Sequence, residues 1–226
     1  MHFSTLLGLL ATAGSTLAAP SVLAGRAVQE SWAGAILDGK GFTAAKGTFK
    51  VPSISGQGKK AASVWVGIDG SSCKGAIIQT GVNLHGDGTI FPWTEWYPGK
   101  VMAYENPITV SAGDELRMSV KITSTTSGTT TLENLTTDKT ATHEYTGQHE
   151  LCQTNAEWII ENYGSPGSRP ELLDFGDITI YDNSATSSSG TSDASGARLS
   201  NLKIDQKTRS KCSTSASGVE CSYVAA

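Results

Sequence analysis

Apolar and polar residues alternate with a period of two through most of this chain, and this pattern restricts the fold more than any other feature. In residues 114–123, DELRMSVKIT, the residues Leu116, Met118, Val120 and Ile122 share one face of an extended chain, and polar residues occupy the other. No long stretch of helical periodicity interrupts the pattern. Similar runs lie at 76–84, 129–135, 156–162, 177–182 and 198–204. Since Gly, Ser, Thr and Asp separate the runs, the sequence predicts an all-β sandwich of two antiparallel sheets.

The chain has 226 residues, a length that suits a single domain. Residues 1–19 contain no Asp, Glu, Lys or Arg and end in small residues, which is typical of a secretory signal peptide. We interpret residues 20–29 as a short pro-segment or linker and residues 30–226 as the folded domain. The Ser-rich stretch 184–196 is predicted to be a flexible surface loop. No later apolar run approaches the roughly 18 residues of a membrane span, so we expect no membrane association. With the signal peptide, this predicts a secreted, extracellular protein, and we expect a monomer.

The four cysteines, at positions 73, 152, 212 and 221, allow three pairings in an oxidising compartment. Cys212 and Cys221 flank the turn-rich stretch STSASGVE, whose ends a hairpin would bring together. This favours a local bridge between them. Cys73 and Cys152 would then form a long-range bridge.

Charge and histidine spacing exclude several classes of partner. The formal net charge is −4, and no cluster of basic residues is longer than Lys59-Lys60, so we expect no nucleic-acid partner. His85, His143 and His149 lack the spacing of metal ligands. We therefore expect neither a metal nor another cofactor.

Polar residues at unusual strand positions have two interpretations: they are satisfied polar residues on a solvated sheet face, which is the default, or they serve chemistry. If Val64, Val66 and Ile68 face the core, then Trp65 and Asp69 face the other side. By the same parity, Gln79 faces away from the core in its strand. Two glutamates, Glu157 and Glu161, do so in AEWIIEN. A glutamate with a pKa near about 4.3 can deprotonate water in acid and return the proton to a leaving amine. An amide does not titrate there and can donate to a developing oxyanion.

Several motifs, in the same order, resemble those of the fungal glutamic peptidases, or eqolisins. They are WVGIDGSSCKGAIIQTGV, GDGTIFPWTEWYP, LENLTT and CQTNAEWIIEN, and the similarity is strong from Trp32 to about Asn162. The resemblance implies a concanavalin-like sandwich and an acid endopeptidase that pepstatin does not inhibit. Its substrates would be polypeptides.

The resemblance also assigns roles to individual residues. The catalytic glutamine of the family, six residues after a cysteine, corresponds to Gln79. The catalytic glutamate corresponds to Glu161, and Glu157 stays an alternative because both share one strand face. The aromatic residues that line the substrate site, and the acidic residues near it, correspond to Trp32, Trp65, Trp93, Asp69 and Glu95.

Other interpretations of the same residues remain open. Tryptophans on a sandwich also suit a non-catalytic carbohydrate-binding module, and a carboxylate pair drawn from Glu157, Glu161 and Glu95 suits glycoside hydrolysis. Pro92 and Pro98 bracket a segment that we predict to be a loop overhanging a cleft. Asn134 begins an N-glycosylation sequon.

Overall fold

The structure, a computed structural model, describes residues 30–164 and 167–225. The predicted signal peptide and pro-segment lie outside these residues. Sixteen strands form within the described part of the chain. They are β1 (Trp32–Asp38), β2 (Ala44–Lys50), β3 (Ala61–Asp69), β4 (Ile77–His85), β5 (Ile90–Tyr97), β6 (Glu115–Ser124), β7 (Ser127–Asn134), β8 (Lys139–Tyr145), β9 (Asn155–Glu161), β10 (Asp177–Ser187), β11 (Gly190–Ser192), β12 (Arg198–Ser200), β13 (Lys203–Ile204), β14 (Lys207–Thr208), β15 (Ser210–Ser215) and β16 (Gly218–Tyr223).

Two antiparallel sheets pack face to face, which confirms the predicted sandwich. A six-stranded sheet has the order β12-β1-β9-β3-β4-β5, and an eight-stranded sheet contains β15-β16-β10-β2-β6-β7-β8 with β11 paired to β10. The short strands β13 and β14 form a separate hairpin. The core between the sheets contains the alternating residues Leu116, Met118, Val120 and Ile122 of β6, as their period-two pattern predicts.

The six-stranded sheet packs an apolar cluster against each of its faces, and this distinguishes it from the sheet of an ordinary sandwich, which has one solvated face. Val64, Val66 and Ile68 of β3 face the core between the sheets. A second, separate cluster covers the opposite face, which we call the outer face. Its members are Trp32, Ile36, Trp65, Ile77, Trp93 and Ile159. The predicted parity of these strands is therefore correct, but their non-core face is packed rather than solvated.

Two predicted loops are strands in the structure. The segment after Pro92 belongs to β5, so the prediction of an overhanging loop is wrong. Proline is tolerated there because β5 is the edge strand of its sheet. The stretch 184–196 is not a loop throughout, since β10 continues to Ser187 and turns at Gly190 into β11. Gly190 has φ +118°, which permits the turn.

Both predicted disulfides form. Cys212 and Cys221 are directly paired across the β15–β16 hairpin, and Cys73 is joined to Cys152, 79 residues away in sequence. The second bridge ties the loop after β3 to the segment that leads into β9. It therefore links the approach to β4, which carries Gln79, with the approach to β9, which carries Glu157 and Glu161.

The sequon residue Asn134 ends β7 and is fully buried. Its Nδ2 donates to Asp114 Oδ2 at 2.7 Å and to the carbonyl of Thr109, while its Oδ1 accepts from the backbone of Thr136 and Thr137. In the folded domain this amide therefore has no room for a glycan. Among the residues described, no helix is long and apolar enough to cross a membrane.

Candidate active site

Three neighbouring rows of residues run across the outer face, because the registers of β1, β9, β3, β4 and β5 align them. The first row contains Ile36, Glu157, Gly67, Gln79 and Glu95. The second contains Gly34, Ile159, Trp65, Gly81 and Trp93. The third contains Trp32, Glu161, Ser63, Asn83 and Phe91. The predicted glutamine, both glutamates and all three predicted tryptophans therefore share one surface.

Two glycines make room for Trp65 and Gln79 on this surface. A Cβ at Gly81 would lie 2.0 Å from the carbonyl oxygen of Val64 and 2.7 Å from the Cβ of Trp65. A Cβ at Gly67 would crowd the Trp65 ring and the Cβ of Gln79, each at 3.1 Å. Small residues at both positions therefore leave space for the Trp65 side chain between the rows that carry Gln79 and Glu161.

Gln79 and Glu95 form a direct cross-strand pair. Gln79 Nε2 donates to Glu95 Oε2 at 2.5 Å. Burial raises the pKa of the Glu95 carboxyl above its usual value, and the hydrogen bond from Gln79 opposes that rise. Gln79 Oε1 is buried and finds no hydrogen-bond partner among the described residues. Because an amide nitrogen carries two N–H groups, the second remains for a ligand.

Glu161 ends β9 and is the more accessible of the two glutamates, being only partly buried. Trp65 Nε1 donates to its Oε2 at 3.0 Å. Desolvation raises the pKa of Glu161 to about 7, although the indole N–H groups of Trp65 and Trp32 and the charge of Arg169 lower it. The charge of Glu95 raises it further. Glu161 therefore interacts electrostatically with the carboxyl group that holds Gln79.

Glu157 is fully buried, and neither of its carboxyl oxygens meets hydrogen-bond geometry with any described residue. Desolvation raises its pKa well above the usual value, and the charge of Asp69 adds to this. The backbone N–H of Ser71 and the charge of Arg198 act in the opposite direction. Strand register places Glu157 in the row of Gln79, but its side chain is fully buried, whereas that of Glu161 is partly exposed. The charged neighbours of Glu157 include Asp69 and Arg198, whereas those of Glu161 are Arg169 and Glu95.

Asp69 has a structural role in this arrangement. It is fully buried, with φ +71° at the end of β3. Its Oδ2 accepts from the backbone of Gln153 at 2.7 Å, and its Oδ1 accepts from the backbone and hydroxyl of Thr154. Asp69, which the resemblance placed near the substrate site, therefore uses its acceptors to hold the segment that leads into β9.

The three tryptophans form the packed floor of the outer face. Trp32 and Trp65 contact edge to face, with ring centroids 4.9 Å apart. None of Trp32, Trp65 and Trp93 is more than 4% exposed. Their rings are therefore not available for stacking against a sugar in this conformation.

Phe91 and Tyr97, which the sequence reasoning missed, are on the same face of β5 as Trp93 and Glu95, since alternate residues share a face. They are 38% and 47% exposed. Reading IFPWTEWY as an alternating strand would have identified them. The two prolines obscured that alternation.

The arrangement can activate a nucleophile and stabilise an anion without a metal ion. A carboxyl group with a pKa of about 7 is accessible next to indole donors, and an amide with a spare N–H is held by a second carboxyl group. No group of three or more potential metal ligands occurs within residues 30–164 and 167–225.

Known proteins resemble this chain in both sequence and fold. The family model described as the Peptidase A4 family matches residues 30–223. Scytalidopepsin B of Scytalidium lignicola is 41% identical over 206 residues, which cover 87% of this chain and 79% of that protein. Aspergillopepsin-2 of Aspergillus niger is 38% identical, covering 86% and 77% of the two chains. A crystal structure of scytalido-glutamic peptidase with a transition state analog inhibitor superposes with a TM-score of 0.81 at 39% identity, covering 86% of this chain and 98% of that one.

Proposed function

The chain belongs to the peptidase A4 family of glutamic peptidases, and on that basis we propose that it is a secreted acid endopeptidase in which Glu161 and Gln79 carry the reaction. The observation that supports this assignment is the contact chain on the outer face. Trp65 holds Glu161, Glu161 interacts with Glu95, and Glu95 bonds to Gln79.

In the proposed reaction, the ionised carboxylate of Glu161 takes a proton from a water molecule, which attacks the carbonyl carbon of a peptide bond. The second N–H of Gln79 donates to the oxyanion that forms, an interaction that contributes about 3 to 4 kcal/mol in comparable sites. Protonated Glu161 then transfers its proton to the leaving amine as the C–N bond breaks. No covalent acyl-enzyme and no cofactor are needed.

Glu95 must be neutral for this chemistry, because a negative charge bonded to Gln79 would oppose the oxyanion. The active form of the site therefore carries one proton, on Glu95, while Glu161 is ionised; because the pKa of Glu161 is raised more than that of Glu95, this is the minor of the two singly protonated forms. In strong acid a second proton binds, so that both Glu161 and Glu95 are neutral and Glu161 cannot act as a base. In base the single proton is lost, so that both carboxyl groups are ionised. Both pKa values are raised. Activity is therefore greatest between the two macroscopic pKa values, at weakly acidic pH.

Export is proposed from residues 1–19, whose composition is that of a signal peptide. Polypeptide substrates are proposed from the structures of relatives, one of which is a complex of an eqolisin with the tripeptide Ala-Ile-His. Phe91 and Tyr97 are the exposed aromatic residues of this face and would contact such a substrate, while Trp32, Trp65 and Trp93 pack beneath them.

The test is digestion of an unfolded protein by the purified secreted product between about pH 2 and pH 7, with and without pepstatin. We expect cleavage that pepstatin does not reduce, since the site pairs a carboxyl group with an amide. Gln79→Ala should lower kcat by about 10²- to 10³-fold while the protein stays folded. Absence of proteolysis at every pH would refute the proposal.

A further inference from the structure

The core side of β4 and β5 carries a cluster of hydroxyl groups directly behind Gln79 and Glu95. Thr80 follows Gln79, Thr94 precedes Glu95, and these two threonines are paired across the strands. Both are fully buried. Because successive residues of a strand face opposite sides, their side chains lie beneath the sheet while the proposed catalytic pair lies above it.

Hydrogen bonds connect these threonines to two buried tyrosines. Thr80 Oγ1 donates to the carbonyl of Trp93 at 2.8 Å and lies 2.6 Å from the Tyr104 hydroxyl. Thr94 Oγ1 lies 2.8 Å from the Tyr145 hydroxyl and 2.7 Å from Thr130 Oγ1. We call Thr80, Thr94, Tyr104, Thr130 and Tyr145 the hydroxyl cluster.

The hydroxyl cluster supplies a hydrogen bond between β4 and β5 at Thr80 and Thr94, where the two backbones do not bond to each other. Thr94 exchanges both of its backbone hydrogen bonds with Met102, at 2.9 Å each, so its N–H and C=O point away from β4. The Thr80–Thr94 pair is therefore a non-hydrogen-bonded pair of the ladder. The side-chain bond from Thr80 to the Trp93 carbonyl then supplies a cross-strand connection between the two strands beside Gln79 and Glu95.

We propose that the hydroxyl cluster positions Gln79 and Glu95, by fixing the rotation of β4 and β5 about their axes. Its members do not touch the substrate, so they are positioning residues. This inference rests on the proposed role of Gln79. A buried network in which each hydroxyl is paired holds one arrangement more rigidly than methyl groups of the same shape, which explains threonines and tyrosines at core positions where apolar residues would fit.

The test compares Thr80→Val with Thr80→Ser, which keeps the hydroxyl. Thr48→Val is the matched control, since Thr48 is also buried in a strand but its hydroxyl has no partner among the described residues. We expect Thr80→Val to lower kcat about tenfold with KM within twofold of wild type. Thr80→Ser should recover most of kcat, and Thr48→Val should leave it unchanged.

A second readout does not depend on activity. The hydrogen bond from Gln79 lowers the pKa of Glu95, so a misplaced Gln79 should raise that pKa. We expect a higher Glu95 pKa in Thr80→Val and in Tyr104→Phe, measured by carbon NMR of labelled glutamate, and no change in Thr48→Val. If Thr80→Val does not fold, the milder Tyr104→Phe decides.

Unchanged kcat and unchanged Glu95 pKa in a folded cluster variant would overturn the proposal. An equal loss in Thr48→Val would also overturn it, because the effect would then be a general one of losing a buried hydroxyl. If instead Gln79→Ala keeps full activity, the proposed function fails, and the Glu95 pKa still decides whether the cluster positions the pair.

Discussion

Replacing Trp65 with phenylalanine removes the indole N–H that donates to Glu161 at 3.0 Å. This bond stabilises the ionised form of Glu161, so its loss should raise the pKa of Glu161 above about 7. A hydrogen bond to a charged group contributes about 1.5 to 3 kcal/mol. Because Glu161 is partly exposed, we use the lower value of this range. About 1.4 kcal/mol corresponds to a tenfold change in the acid dissociation constant, so the pKa of Glu161 should rise by about one unit.

The kinetic consequence of Trp65→Phe depends on pH. At a pH below the pKa of Glu161, the fraction of ionised Glu161 in Trp65→Phe is about tenfold lower than in wild type. Each ionised carboxylate is a stronger base in the variant, and this recovers part of the lost rate. We therefore expect kcat/KM to fall about threefold to tenfold at acidic pH, and the deficit to narrow as the pH rises. The assay is kcat/KM against pH on a quenched fluorescent peptide, together with the Glu161 pKa from carbon NMR.

Trp93→Phe is the control for this experiment. It makes the same truncation in the same buried cluster, and the indole N–H of Trp93 has no partner among the described residues. An unchanged or lowered Glu161 pKa in Trp65→Phe would show that the Trp65 indole does not stabilise the ionised carboxylate. An equal rise in Trp93→Phe would show the same, since the cause would then be packing.

Three further predictions concern stability. The pKa of Glu157 is raised in the folded state, so the folded protein binds the extra proton and stability falls as the pH rises from the unfolded pKa through the folded one; Glu157→Gln, which mimics the protonated form, should reduce this fall in urea unfolding at neutral pH, and a steeper fall would contradict it. Asn134→Ala should lower the free energy of unfolding by about 2 kcal/mol, and the wild-type protein from a glycosylating host should show no glycan at Asn134 in its intact mass. Cys73→Ser should cost about 4 kcal/mol and Cys212→Ser about 2 to 3 kcal/mol, because their bridges span 79 and 9 residues; an equal loss would contradict the chain-entropy explanation.

The sandwich and the faces of its strands could be predicted from the sequence, because a strand that is buried on one side has apolar residues at alternate positions. Val64 and Trp65 illustrate this, since their opposite faces follow from parity. The error at Pro92 has a local cause. Proline excludes a central strand, and the sequence does not show that β5 lies at an edge.

The role of Asp69 could not be predicted, since its partners Gln153 and Thr154 are more than 80 residues away. The residues alone could not decide between Glu157 and Glu161 for a similar reason, because burial depends on contacts that are distant in sequence. The two residues share a strand face, and spacing gives no measure of depth. The segment that contains Ser71 and the side chain of Arg198 lie close to Glu157, whereas Glu161 remains partly exposed beside Trp65.

The most direct test of the account compares Glu161→Gln with Glu157→Gln in steady-state peptide hydrolysis, with folding verified by circular dichroism. Both substitutions keep the shape of the side chain and remove its acid–base function. We predict that Glu161→Gln lowers kcat by about 10²-fold or more, while Glu157→Gln stays within about threefold of wild type. Full activity in Glu161→Gln together with loss in Glu157→Gln would contradict it.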